Sequence, residues 1–226
     1  MFNLKNCCES IVKSGFGIIE MPPSMLEAFR RVTTEFAHVD AIDKASFSFP
    51  LDTDGFLQFG YEYAKLDEHP DLCERFCYWH AHSINRQHHT FTASRFMEAI
   101  RSYETKIHVL AQELMNAISE EFDSKSLSSI RTSSYLQLCA YARSIPRNDR
   151  KFAQDPHEDG HLISFIKPDR EGLVLVRGKS LEPVRLLENE IAVLAGSLLT
   201  DLSDQAIPAA YHAVLTPPAT IDIVAR

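Results

Sequence analysis

The stretch Asp155-Pro156-His157-Glu158-Asp159-Gly160-His161-Leu162-Ile163-Ser164-Phe165-Ile166 sets a histidine and a carboxylate two residues apart, just ahead of an apolar run. In extended chain, positions i and i+2 project from the same side, so His157 and Asp159 can share a metal ion at the mouth of a strand. The apolar run over 161–166 has companions at 134–141, 172–176, 190–195 and 219–225. Short strands at close spacing, broken by Pro168-Asp169, Arg177-Gly178-Lys179 and Pro217-Pro218, predict a sandwich or jelly roll rather than βαβ units.

The half of the chain before this region reads differently. Residues 4–14 carry apolar side chains at helical spacing and run into Gly15-Phe16-Gly17-Ile18-Ile19-Glu20, a strand-like segment stopped by Pro22-Pro23. Ser24 is placed to cap a helix over 25–38, with Leu26, Phe29, Val32 and Phe36 on one face. Two further helices are expected over 71–86 and 94–122; in the second, Phe96, Ile100, Tyr103, Ile107, Leu110 and Leu114 form the apolar stripe. The expected fold class is therefore α+β, helices first.

Composition bounds the function. The chain has 226 residues, 45% hydrophobic and 24% charged, enough to bury a substantial core. Its 23 Lys and Arg against 31 Asp and Glu give a net charge of −8, which argues against nucleic acid as a partner. The first residues show no basic segment ahead of an apolar one, and no run of apolar residues is long enough to span a membrane, so a cytoplasmic protein without a membrane partner is expected. Five cysteines, Cys7, Cys8, Cys73, Cys77 and Cys139, are an odd number without a pairing framework and read as reduced structural thiols.

A third ligand for His157 and Asp159 is available in His212, which lies 53 residues after Asp159 and just ahead of the final apolar run. Two imidazoles and one carboxylate on one side of an octahedron leave the other side open, as a non-haem Fe(II) oxygenase requires. A rival cluster, Cys73-x3-Cys77-x2-His80-x-His82 followed by His88-His89, offers zinc ligands, with Cys73 and Cys77 on one face of the expected helix. Phe76, Tyr78 and Trp79 interleave with it, which favours a packed structural element over a zinc knuckle.

The context of the first triad resembles the Fe(II)/2-oxoglutarate-dependent oxygenases, specifically the isopenicillin N synthase-like branch, over nearly the whole chain. Ser14-Gly15-Phe16-Gly17-Ile18-Ile19-Glu20 resembles that branch's W-G-F-F-x-V segment, and the helix holding Phe29 and Phe36 its next element. Gly60-Tyr61 and Asp71 with Glu74-Arg75-Phe76 are similar to its mid-region pattern. Leu138-Cys139-Ala140-Tyr141 resembles its Asn-x-Tyr strand, with Cys139 in place of Asn. His157-Glu158-Asp159 with Ser164 resembles its His-x-Asp and following Thr-Leu-Leu. Gly172-Leu173-Val174 and Pro183-Val184 resemble the strands after it, and Leu194-Ala195-Gly196-Ser197 its Gly-Asp turn ahead of His212-Ala213-Val214.

The resemblance implies a single oxygenase domain over 1–226, with helical cover over 1–130 and a double-stranded β-helix, a cupin-like jelly roll, over 131–226. It implies Fe(II) on His157, Asp159 and His212, with O2 and 2-oxoglutarate as co-substrates. It further implies Tyr141 and Ser164 toward the co-substrate; Gln137 and Cys139, on the strand face of Tyr141, are candidates toward the substrate, as is Asp222 on the last strand, with Arg226 a candidate toward the co-substrate. The family's Arg-x-Ser, about ten residues after its distal His, anchors a carboxylate bidentately. Here the ungapped positions are Asp222 and Val224. Arg226 on the same strand face, or Arg143, Arg177 or Lys179 from other strands, can replace the missing cation. The alternatives are an oxidase that dispenses with 2-oxoglutarate, as isopenicillin N synthase and aminocyclopropane carboxylate oxidase do, and a non-catalytic protein that binds a small ligand in the same barrel. A carboxylate at position 222 would suit an ammonium, hence an amino-acid-derived substrate.

Overall fold

The computed structural model describes residues 4–47, 55–62, 68–83, 90–122, 130–141 and 150–216. The helices are α1 (Lys5–Ser14), α2 (Pro23–His38), α3 (Ala41–Ser46), α4 (His80–Ser83), α5 (Phe91–Glu121) and α6 (Ser197–Leu202). The strands are β1 (Phe16–Glu20), β2 (Gly55–Leu57), β3 (Cys73–Trp79), β4 (Tyr135–Tyr141), β5 (Phe152–His157), β6 (Ile163–Ile166), β7 (Leu173–Arg177), β8 (Ser180–Pro183), β9 (Glu190–Ala195) and β10 (His212–Leu215). They form three antiparallel sheets, ordered β1-β9-β6, β5-β10-β7-β8 and β2-β3-β4. The expected α+β class, helices before most of the sheet, is observed.

β9 shows how the layers stack. Its side chains alternate: Ile191, Val193 and Ala195 pack with Ile11, Val32 and Leu114 of the helices, whereas Ala192 and Leu194 pack with Leu173 and Leu175 of β7. A strand buried on both faces reads as a continuous apolar run, which is why Ile191-Ala192-Val193-Leu194-Ala195 lacks polar alternation. The sheet containing β9 is thus covered by helices on one side and faces the four-stranded sheet on the other.

α5 supplies most of the cover. Thr90 caps it by accepting a hydrogen bond from the Ala93 amide at 3.0 Å, and Phe96, Ile100, Tyr103, Leu110 and Leu114 of the expected stripe are buried. α2 begins two residues before Met25: Pro22 is its cap and Pro23 its first residue, so the expected Ser24 cap lies inside the helix. Cys7 and Cys8 lie on the buried face of α1, and all five cysteines are free thiols.

The expected helix over 71–86 is instead β3, followed by the short α4. The spacing of Cys73 and Cys77 fits a strand as well as a helix, because four is also an even number. Aromatic residues favour the pleated surface, and seven registered pairs from Cys73↔Tyr141 to Trp79↔Tyr135 fix the choice. Phe76 and Tyr78 face the helices, with the Phe76 ring edge-on to Phe96 at 4.8 Å, while Arg75 faces the other way. The expected strand over 219–225 lies outside the described residues. Among the described residues, no helix is long and apolar enough to cross a membrane.

Candidate metal centre

His157 ends β5 and His212 opens β10, the strand paired with it; the register sets the two directly opposite each other. Their ring centroids are 4.4 Å apart. Asp159 completes the group, its Oδ1 3.5 Å from His157 Nε2 and 4.0 Å from His212 Nε2. One donor atom from each residue lies within 4.8 Å of the other two, an arrangement that no other His, Cys, Asp or Glu set among the described residues matches.

The outer contacts decide which atoms face a metal. His157 Nδ1 lies 2.7 Å from the Asp155 carbonyl and His212 Nδ1 3.1 Å from the Ala210 carbonyl. A carbonyl can only accept, so each Nδ1 carries a proton and Nε2 is the atom turned toward Asp159. Asp159 is held by the chain as well: Ser197 N donates to its carbonyl at 2.8 Å, and Gly196 N to the Leu162 carbonyl at 3.0 Å. A Cβ at position 196 would lie 2.7 Å from the Asp159 carbonyl oxygen and 2.1 Å from that of His161, so only glycine admits this approach.

Burial opposes charge on all three groups, and the neighbours answer it differently. For Asp159, burial pushes the carboxyl up, but the hydrogen bond from His157, the field of His212 and the Ser164 hydroxyl outweigh it and hold the group well below the usual carboxylate range. For His157, burial lowers the imidazole, yet its bonds to Asp159 and the Asp155 carbonyl leave it above its ordinary value. For His212, burial dominates, Asp159 offsets it only in part, and the net direction is down.

His157 and Asp159 line a cavity of about 350 Å3. Tyr135 and Gln137 line it from β4, Arg75 from β3 and Gln154 from β5; Tyr61, Glu62 and Asp71 complete the wall. Space of this size with a few convergent polar groups suits a small molecule.

Beyond the three candidate ligands, the expected site residues stand as follows relative to this cavity. Gln137 lines it, and Ser164 reaches the Asp159 carboxylate from β6. The Tyr141 hydroxyl donates to Gln154 Oε1 at 3.0 Å, and Gln154 Nε2 donates to Asp71 Oδ2 at 3.2 Å. Cys139 lies 3.5 Å from Gln137 Oε1 and shares a hydrogen bond with Cys73. Asp222, Val224, Arg226 and Arg143 lie outside the described residues. Arg177 and Lys179 are corrected: Arg177 pairs with Glu182 at 3.1 Å in an exposed turn, Lys179 is exposed beside it, and neither lines the cavity.

The rival cysteine and histidine cluster does not converge. Cys73 Sγ accepts from Arg75 and Cys77 Sγ from Gln137, while His80 turns to Glu104 at 3.6 Å and His82 stacks on Trp79. His88 and His89 lie outside the described residues. Sequence reading missed Glu62, Tyr135, Gln154 and the ion pair of Asp71 with Arg75 as cavity residues. The available signal was a lone arginine in the otherwise aromatic and thiol-rich run of β3, four residues after an aspartate.

No protein-family model matches the sequence, and no curated protein matches it. Solved structures match over almost the whole chain. A Shewanella oneidensis protein assigned as an oxygenase is 24% identical, with TM-score 0.73 over 96% of this chain and 81% of that one. A full-length Neurospora crassa protein crystallised with alpha-KG is 18% identical, with TM-score 0.79 over 97% of this chain and 74% of that one. JOX2, crystallised with 2OG, Fe and JA, is 17% identical, with TM-score 0.74 over 96% and 68%. The chain thus shares the fold of these solved structures.

Proposed function

We propose that this protein is a non-haem Fe(II) oxygenase that uses O2 and 2-oxoglutarate to hydroxylate or desaturate a small metabolite, built as one domain around a double-stranded β-helix. The observation that carries this reading is the convergence of His157, Asp159 and His212, the first two of which line the cavity. The donor set fits the ion: two imidazoles with Nδ1 tied to carbonyls, and an ionised carboxylate. His157 Nε2, His212 Nε2 and an Asp159 carboxylate oxygen would hold it. Bound iron supplies the activation of O2 at the expense of a keto acid, which no side chain here can perform.

The chain's own residues position and shield. Ser164 and the amide of Ser197 fix the carboxylate and the backbone of Asp159. Gln137 and Tyr135 line the same cavity as His157 and Asp159, and Tyr141 orients Gln154 within that lining. The ligands in the Neurospora and JOX2 structures support a small-molecule substrate and 2-oxoglutarate as co-substrate.

The test is anaerobic titration of the Fe(II)-loaded protein with 2-oxoglutarate, watching for the visible charge-transfer band of a chelated keto acid. The band is expected in the wild type and absent in His212→Ala. Bound iron without the band would replace this reading with an oxidase whose substrate chelates the metal. A protein that takes up no iron, and is unchanged by His157→Ala, would be a ligand-binding protein of the same fold.

A further inference from the structure

Arg75 stands in the middle of β3 with its side chain 8% exposed, and among the described residues it is the one arginine or lysine lining the cavity. Its guanidinium is held from three directions. Nε donates to Cys73 Sγ at 3.2 Å, one terminal nitrogen to Asp71 and the other to Glu62. The two carboxylates are unequal partners. The Asp71 side chain is 2% exposed and also accepts from Gln154, whereas that of Glu62 is 31% exposed. Asp71 N donates to the Glu62 carbonyl at 2.7 Å, so the chain at residue 62 is fixed independently of its side chain.

One guanidinium is neutralised by one carboxylate, and here two are gathered on it. Breaking the deeply buried pair with Asp71 would strand a charge, whereas the half-exposed Glu62 carboxylate can exchange the guanidinium for water at small loss. A second carboxylate arriving from the cavity would then find the fork already aimed and would leave the local charge unchanged.

We propose that Arg75 is the receptor for a carboxylate group of the molecule that fills this cavity, and that Glu62 holds its place in the ligand-free protein. The inference rests on the cavity being the ligand site of the oxygenase reading. Its ligand reaches from His157 and Asp159 to β3 and carries a carboxylate where it meets Arg75. Two sources share that chemistry: the distal carboxylate of 2-oxoglutarate and a carboxylic-acid substrate.

The test titrates metal-free protein with succinate and with succinamide, following the fluorescence of Trp79, the single tryptophan, four residues from Arg75 on the same strand. Glu62→Gln is expected to bind succinate about threefold tighter or better, and Arg75→Gln about tenfold weaker or worse, the scale of a charge-assisted bond. Arg75→Lys, which keeps the buried charge, is expected to fold and to bind with intermediate strength. Succinamide is expected to bind none of them. Glu62→Gln binding no tighter than wild type, or Arg75→Lys binding as wild type does, would overturn the proposal.

Fe(II) uptake by the same variants reads the oxygenase assignment separately. Lost uptake with the succinate pattern intact removes the function and leaves the site. With iron bound, 2-oxoglutarate is compared with 2-oxopentanoate, which has a methyl in place of the distal carboxylate. A preference for 2-oxoglutarate that vanishes in Arg75→Gln assigns the carboxylate to the co-substrate; an undiminished preference assigns it to the substrate.

Discussion

His212 and His157 face each other across the β5–β10 ladder, rings 4.4 Å apart, so the pairing of two strands distant in sequence also assembles the imidazole pair. Asp159 reaches the same point from the turn after β5. On the proposed reading, metal binding and the closure of this sheet would be one event energetically, because the unfolded chain does not hold the three donors together.

Iron should accordingly stabilise the fold. At Fe(II) one hundred times above Kd, mass action adds about 2.7 kcal/mol. His157→Ala and His212→Ala should each weaken iron binding by more than about 100-fold, beyond what loss of an outer-shell partner does. Anaerobic thermal denaturation with and without Fe(II) measures both; an equal iron-induced rise in Tm in His212→Ala would refute the assignment.

The two histidines should titrate apart in the metal-free protein. Burial lowers both, but Asp159 and the Asp155 carbonyl more than restore His157, so its proton is gained above the ordinary histidine value and that of His212 below it. As pH falls, His157 charges first and His212 later. Histidine NMR titration of the metal-free protein checks the order, and the reverse order would show that Asp159 serves His212 instead.

Gly196→Ala should damage the centre without touching a ligand. The added methyl would press on the carbonyls of Asp159 and His161, both backbone atoms that can give way only by moving the turn. A loss of about 1–3 kcal/mol in stability is expected, as for other overpacked sites, together with weaker iron binding. Chemical denaturation and metal titration of the variant should move together.

The parts of this architecture legible in the sequence are those whose signal is local. β9, α1, α2 and α5 announce themselves by apolar runs or stripes, and His157-x-Asp159 by the i, i+2 geometry of extended chain. β3 is ambiguous in the sequence because its even spacings satisfy both periods, and only its partner β4, more than fifty residues away, decides between them. The cavity wall was hidden for the same reason: Arg75, Tyr135 and Gln154 come from three strands, and no local pattern records that they meet.

Phe96 joins the helical cover to the sheet that carries Arg75. Its ring lies 4.8 Å from Phe76 of β3, 5.5 Å from Phe36 of α2 and 5.9 Å from Phe47, and it is fully buried. Phe96→Ala should cost about 3–5 kcal/mol of stability. Because the cavity wall hangs on β3, ligand affinity should fall further than iron affinity, a difference measurable on protein that remains folded at low temperature.

Tyr141 gives the sharpest separation between direct and relayed action. Its hydroxyl donates to Gln154, whose amide donates to Asp71, whose carboxylate holds Arg75. If Tyr141 works through this chain, Tyr141→Phe and Gln154→Ala interrupt the same path, and the double variant should lose no more affinity for 2-oxoglutarate than Gln154→Ala alone. Stability should drop by about 1 kcal/mol in Tyr141→Phe, the usual loss for one buried hydrogen bond. Additive losses in the double variant would instead mean that the hydroxyl meets the ligand itself, as the family resemblance implies.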